Sequence, residues 1–342
     1  KANAAGTARP RMMRSLRRQS RNWKRHCGNW RESNMAGKIA TRNAYGQALC
    51  DLAEKYPELV VLDADLTKST KTAEAKKACP SRHFNMGIAE GNMMTVAAGL
   101  AASNKTVFAS SFAMFAAGRA YEQIRNSIGY PHLNVKICAT HAGITVGEDG
   151  ASHQSVEDIG LMRSIPGMHV FQPCDATETM AMIKAVADID GPCYVRLGRS
   201  GVDDVFDDSY VFEPGKGIVL RKGSKIAVVA TGMMVQEALK AAAMCECDPT
   251  VVNIHTIKPI DETLLIELAR THDVILTCEE HSVINGLGSA VCEVLAPYCL
   301  CKVERLGIRD VFGESGKPKD LLRKYGLDAE AICAKLNELC RD

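Results

Sequence analysis

From residue 35 onward the chain alternates between two kinds of segment, and this alternation most narrows the folds open to it. Short apolar runs bounded by polar or turn residues (ELVVLDAD, KTVFASS, VKICATH, MHVFQP and CYVRL) have the length and composition of strands buried on both faces. Between them lie segments with helical apolar spacing. These are residues 41–55, where Ala44, Leu49, Leu52 and Ala53 recur on one face, a Gly/Ala-rich stretch at 89–103, and residues 119–128 and 175–187. Strands alternating with helices are joined by right-handed crossovers and build a mostly parallel sheet. One domain is expected over 35–200. Residues 201–217, with their acids and Pro214, read as a linker. A second unit is expected over 218–342, with strands at KIAVVATG, TVVNIHTIKP, DVILTCEEH and KVERLGI. Its helices should run to about Cys245, from an Asp261 cap to Arg270, from Gly286-Leu-Gly288 to Leu295, and through the tail beyond Lys319. The expected fold class is α/β, in two domains, each a mostly parallel sheet flanked by helices.

Size and charge fit that picture. A chain of 342 residues can bury two cores, and 46% hydrophobic with 24% charged residues reads as a soluble globular protein. The net charge of +2 gives no electrostatic footprint for nucleic acid. No apolar run approaches the roughly eighteen residues of a membrane span. The 14 cysteines include no C-x-x-C pair. Most sit in apolar runs, as Cys138 and Cys278 do, so buried free thiols in a reducing cytoplasm are the expectation. Residues 1–34 stand apart: ten Lys and Arg, from Lys1 to Arg31, precede the first acid, Glu32. That stretch reads as a basic, disordered extension. Met35, opening MAGKIATRNAYGQAL, reads as the natural start.

The chemistry concentrates between residues 84 and 158. FNMGIAEGNM places one acid, Glu90, at the start of an apolar helix with hardly another charge before Lys105. A carboxylate there is favoured by the helix N-terminal dipole, or it is held by a specific partner. SSFAMF sets Phe112 and Phe115 three residues apart just past a strand's C-terminal end, where parallel sheets build their sites. ATHAGITVGEDGASHQSVED gathers His141, Glu148, Asp149 and His153 among glycines in one loop. Two histidines and two acids in a loop at a strand end form a candidate site able to give and accept protons near neutral pH.

Taken together these motifs resemble the C-terminal half of a transketolase, a thiamine diphosphate enzyme. The resemblance implies that Glu90 hydrogen-bonds the pyrimidine nitrogen of the cofactor and favours its imino tautomer, and that Phe112 and Phe115 stack on that ring. The family's third aromatic falls on Gly118, so the pocket is less filled or is completed by Tyr121 or a partner chain. His141 is assigned to the sugar-phosphate end, Asp149 to the donor's C2 hydroxyl, and His153 to the reacting carbon. Arg42, Ser69 and Arg199 match phosphate-binding positions, where planar guanidinium forks suit phosphate oxygens. Asp65 matches an acid that helps hold the cofactor. The Glu279-Glu280-His281 and Gly286-Leu-Gly288 stretches resemble the family but take no catalytic role.

One signature is missing. The Gly-Asp-Gly motif that holds the cofactor's diphosphate and its divalent metal does not occur in the chain. The resemblance therefore implies the C-terminal subunit of a split transketolase. An N-terminal subunit would bring the Gly-Asp-Gly motif and Mg2+ or another divalent ion, with no metal held here, in an α2β2-type assembly acting on sugar phosphates. The Gly/Ala-rich helix after Glu90 is the candidate interface. Deoxyxylulose-phosphate synthase shares the pattern, but it carries an acid at the position of His141 and reads GADG where this chain has GEDG. The β subunit of a 2-oxoacid dehydrogenase shares the two-domain plan but lacks the histidine loop and the phosphate arginines. A catalytically silent homologue is the non-enzyme alternative, against which the retained Glu90, His141, Asp149, His153 and Arg199 count.

Overall fold

The computed structural model describes residues 38–341; the basic stretch 1–34 and Met35 lie outside them. The earlier strands are β1 (Ile39–Ala40), β2 (Leu59–Asp63), β3 (His83–Asn85), β4 (Thr106–Phe112), β5 (Val135–Thr140), β6 (His169–Phe171), β7 (Cys193–Arg196) and β8 (Gly201–Val202). The later ones are β9 (Ile218–Arg221), β10 (Ile226–Ala230), β11 (Thr250–Asn253), β12 (Thr256–Lys258), β13 (Val274–Ser282) and β14 (Lys302–Ile308). Seven strands form one sheet in the order β12-β6-β7-β5-β4-β2-β3, parallel except for β12. Five form another, β14-β13-β10-β11-β9, parallel except for β9. The central strands β2, β5 and β10 are buried along their whole length, as strands covered by helices on both faces must be.

Most helices begin where the sequence signals place them. Thr41–Lys55 spans the predicted stretch. Asp175 accepts from the Glu178 backbone N–H at 2.7 Å and opens Ala176–Asp188; Asp261 accepts from Leu264 N–H at 3.1 Å and opens Glu262–Thr271. The predicted helix at 119–128 is different. The chain coils from Met114, winding as π-helix over Met114–Arg119 and Ile124–Gly129 around one short α turn. Such widened turns recur beside functional sites, where they redirect side chains.

TVVNIHTIKP is the larger correction. It is not one strand of the second unit: Thr250–Asn253 stays in the smaller sheet, whereas Thr256–Lys258 crosses to the larger one and pairs antiparallel with β6. Between them His255 is buried, its ring 4.5 Å from that of Phe212, and its carbonyl accepts from Gln172 N–H at 2.9 Å. Pro259, lacking an N–H, then ends the strand at the sheet edge. Residues 201–217 are likewise tied down rather than free. Asp175 accepts from the Val205 and Phe206 N–H groups at 2.7 and 2.8 Å. The Tyr210 hydroxyl and the Asn253 amide both donate to Glu178, at 2.8 and 2.9 Å. Cys79, Cys138, Cys174, Cys193 and Cys278 are buried free thiols, and no described helix is long and apolar enough to cross a membrane.

Candidate active site

The order of the central strands puts the site together. In the run β7-β5-β4, Phe112 at the end of β4 lies opposite Thr140 of β5, and Ala139 of β5 lies opposite Arg196 of β7. The residues just beyond these ends, His141 and Arg199, therefore emerge side by side at the carboxyl edge of the sheet. His141 takes a left-handed backbone conformation (φ +57°) and is 3% exposed. Its ring stacks on Phe112 with centroids 3.7 Å apart. Phe115 lies 5.8 Å from Phe112, and the His153 ring meets both at their edges, at 6.2 and 5.2 Å. Four of the residues singled out in the sequence thus form one aromatic cluster.

Glu90 opens the helix Glu90–Ala102 and is buried, with Arg119 Nη1 3.1 Å from Oε2. The same guanidinium lies 4.5 Å from the centre of the Phe115 ring. The acid thus has a specific partner, and Arg119 was not singled out in the sequence. Its signal was the cost of a lone buried carboxylate, but the two residues lie 29 apart and only the fold joins them. Beside Gly118 a Cβ would sit 2.3 Å from the Met114 terminal methyl, so Met114 fills that space. Tyr121 does not complete the ring cluster: its hydroxyl is engaged with Ser164 Oγ at 2.8 Å.

Cations gather around His141. Arg42 Nη1 lies 3.0 Å from His141 Nε2 and 3.0 Å from the Ser69 carbonyl. Because guanidinium only donates, His141 Nε2 accepts, which puts its proton on Nδ1, facing Thr140 Oγ1 at 2.9 Å. Burial first, and then the charges of Arg42 and Arg199, hold the His141 pKa down at about 3, so the ring is neutral. Burial and Arg199 lower the pKa of Arg42; burial and Arg42 lower that of Lys71. Lys71, two residues past Ser69, is a further cation that sequence reasoning passed over. Arg42 Nε is buried without a hydrogen-bond partner among the described residues. Mutually repelling cations with an unused donor form a cluster suited to an anion.

The other candidates are placed less centrally. Ser69 offers Arg42 its carbonyl. Arg199 donates to the Val146 carbonyl and pairs with Glu148 at 3.3 Å. Asp149 is exposed at the loop tip. His153 is half-buried, with Ser152 Oγ 2.9 Å from Nδ1. Asp65 is exposed beyond β2, where its N–H donates to Asn85 Oδ1 at 3.0 Å; the structure does not bring it to the aromatic cluster. Glu279 accepts from the Leu287 and Gly288 N–H groups at 2.6 and 2.8 Å, and burial pushes its carboxyl up to about 7. Glu280 accepts from Thr145 N–H at 2.7 Å, tying the second domain to the histidine loop. Among the described residues no group of three or more His, Cys, Asp or Glu is arranged to hold a metal ion.

The comparisons with known proteins agree with this architecture. Residues 37–203 match the transketolase pyrimidine-binding domain, and 215–332 match the transketolase C-terminal domain. The chain belongs to the transketolase family, as a C-terminal section. It is 50% identical over 303 residues to a putative transketolase C-terminal section of Methanocaldococcus jannaschii, covering 87% of this chain and 95% of that protein. It is 39% identical over 301 residues to a 6-deoxy-6-sulfo-D-fructose transketolase subunit, SqwH, of Clostridium sp., covering 87% and 94%. A solved structure described as a split gene transketolase, inactive beta4 tetramer, superposes with a TM-score of 0.81 at 53% identity, covering 89% of this chain and 98% of that one.

Proposed function

We propose that this chain is the C-terminal subunit of a two-chain transketolase, moving a two-carbon ketol unit from a ketose phosphate to an aldose phosphate once an N-terminal subunit is bound. The observation that carries this reading is the pairing of a buried carboxylate and aromatic cluster with a cation cluster at one sheet edge. Glu90, Phe112 and Phe115 would hold the ring end of thiamine diphosphate; the flat faces and the buried acid suit a pyrimidine, and Asp65 would lend more distant support. When bound, that cofactor supplies the nucleophilic carbon that carries the two-carbon unit. The chain's own residues orient and move protons. His141, neutral and bonded to Arg42, sets the guanidinium fork; Arg42, Ser69, Lys71 and Arg199 receive the charged end of the sugar. The name of the Clostridium relative, a transketolase subunit for a sulfonated fructose, supports a tetrahedral oxyanion, phosphate or sulfonate, at that cluster. Asp149 accepts from a substrate hydroxyl, and His153 exchanges a proton near the reacting carbon.

The diphosphate and its Mg2+ would be gripped by the partner, since Gly-Asp-Gly is missing here. The similarity to a split gene transketolase described as an inactive beta4 tetramer supports that division. The partner's seat would be the face beside Glu90, where Ile88 is 77% exposed and Asn92, Thr95, Gly99 and Ala102 are exposed and uncharged. The free thiols fit a cytoplasmic enzyme, and we keep 35–200 and 218–342 as its two domains. The test is reconstitution with a Gly-Asp-Gly-bearing N-terminal subunit, thiamine diphosphate and Mg2+, followed by an assay of ketol transfer between sugar phosphates. Transfer only in the mixture is the expected result; turnover by the chain alone, or none by the complete mixture, overturns the reading.

A further inference from the structure

The loop carrying His141, Glu148, Asp149 and His153 is not self-supporting. Its outer turn meets residues 313–318, part of a strap that follows β14 in the second domain. Gln154, 3% exposed and next to His153, rivets the two. Its side-chain amide donates to the carbonyls of Ile144 and Gly147 in the loop, at 3.1 and 3.2 Å, and of Glu314 in the strap, at 2.8 Å. Three glycines permit the approach. A Cβ on Gly150 would sit 2.5 Å from Ser315 Oγ, one on Gly147 3.3 Å from the Pro318 ring, and one on Gly313 1.8 Å from Gln154 Oε1. Gly147 and Gly150 also take left-handed φ values of +88° and +73°, so the turn between them has one shape. The strap is fixed from behind. The Tyr325 hydroxyl donates to the Phe312 carbonyl at 3.0 Å, and Lys324 pairs with Glu314.

We propose that Gln154 is a positioning residue, and that the second domain acts in the reaction through it by setting where Asp149 and His153 stand. The inference rests on the reading that those two side chains face the substrate. It gives the second domain a part in the reaction without giving it a catalytic residue. A side chain that only filled space would not need an amide shared among three carbonyls on two domains. The two acceptors inside the loop fix its curvature, and the third fixes its height above the sheet.

The experiment uses the full chain. Gln154→Leu keeps the volume and removes both donors, whereas Gly313→Ala pushes on the same amide from the strap. In the chain by itself, hydrogen exchange at amides 147–153 should quicken about tenfold or more in each variant, while β5 keeps its protection. In the reconstituted enzyme kcat should fall about tenfold or more with the KM for the phosphorylated donor changed less than about threefold. The double variant should be no worse than the poorer single one, because both act through one contact. Unchanged exchange over 147–153 in Gln154→Leu overturns the proposal. So does a lowered melting temperature with kcat held within about twofold, which marks a merely structural clip. A wild-type mixture without ketol transfer would sink the proposed function instead, and the exchange measurement on the lone chain still decides for or against the rivet.

Discussion

Replacing Arg196 with methionine should expose how the floor of the histidine loop is built. Arg196 and Asp158 are 1% and 0% exposed, with Nε 2.8 Å from Oδ2. The same guanidinium donates to the Ser155 and Glu280 carbonyls at 3.2 and 3.1 Å, so it joins the end of the loop to the second domain. Burial is the largest influence on Asp158 and opposes its charge, yet the charges of Arg196 and His281 and the hydrogen bonds from Arg196 and Tyr194 together outweigh it and hold the carboxyl below its usual pKa. In Arg196→Met the carboxylate keeps only the Tyr194 hydroxyl at 2.8 Å, since Oδ1 already lacks a partner among the described residues. An abandoned buried charge costs about 3–5 kcal/mol. At about 2–3 °C per kcal/mol for a chain of this size, melting should drop by roughly 6–15 °C.

The assay is thermal melting of wild type, Arg196→Met, Asp158→Asn and the double variant at pH 5 and pH 8. The double should recover about 2 kcal/mol relative to the sum of the singles. The sign of the pH effect follows from the Asp158 pKa, which in Arg196→Met rises above its unfolded value. Stability is then greatest while the acid is protonated and is lost as pH rises, so the deficit should be smaller at pH 5 than at pH 8. Additive single effects, or equal deficits at both pH values, would refute the argument.

Three further outcomes are expected. Glu90→Gln should keep its fold and its assembly with the N-terminal subunit yet lose turnover by about two orders of magnitude; near-wild-type kcat would remove Glu90 from the mechanism. Arg199→Ala should raise KM for phosphorylated substrates by about tenfold and leave unphosphorylated ones nearly unchanged, whereas equal losses would make it a structural arginine. His141 has a folded pKa of about 3 against an ordinary value of 6.5, so the stability it supports is present above pH 6.5 and is lost as pH falls toward 3. His141→Asn should therefore narrow the gap between urea midpoints at pH 4.5 and pH 7.5, and an unchanged gap would mean that His141 does not titrate as described.

The parts legible in the sequence were those whose physics is local. Apolar runs such as VKICATH and IAVVA can only be covered strands, and the Asp175 and Asp261 caps declare their helices within three residues. The loop histidines and acids announced themselves by density. What stayed hidden depends on partners distant in sequence. Lys71 looked like an ordinary loop lysine until the fold set it beside Arg42 and His141. Arg119 reaches back across the π-helical turn to Glu90, and the widening of that turn leaves no periodic trace. Thr256–Lys258 is too short to carry a pattern, and nothing within three residues specifies which sheet will take it.

That short crossing strand bears on where a protein of this kind can be divided. Without β12 the flank of β6 would present bare N–H and C=O groups, a template for any stray extended peptide. A division ahead of residue 38 would leave this seam untouched. One placed near residue 205 would leave the first product with an unsealed margin, prone to self-association until the second arrived to close it.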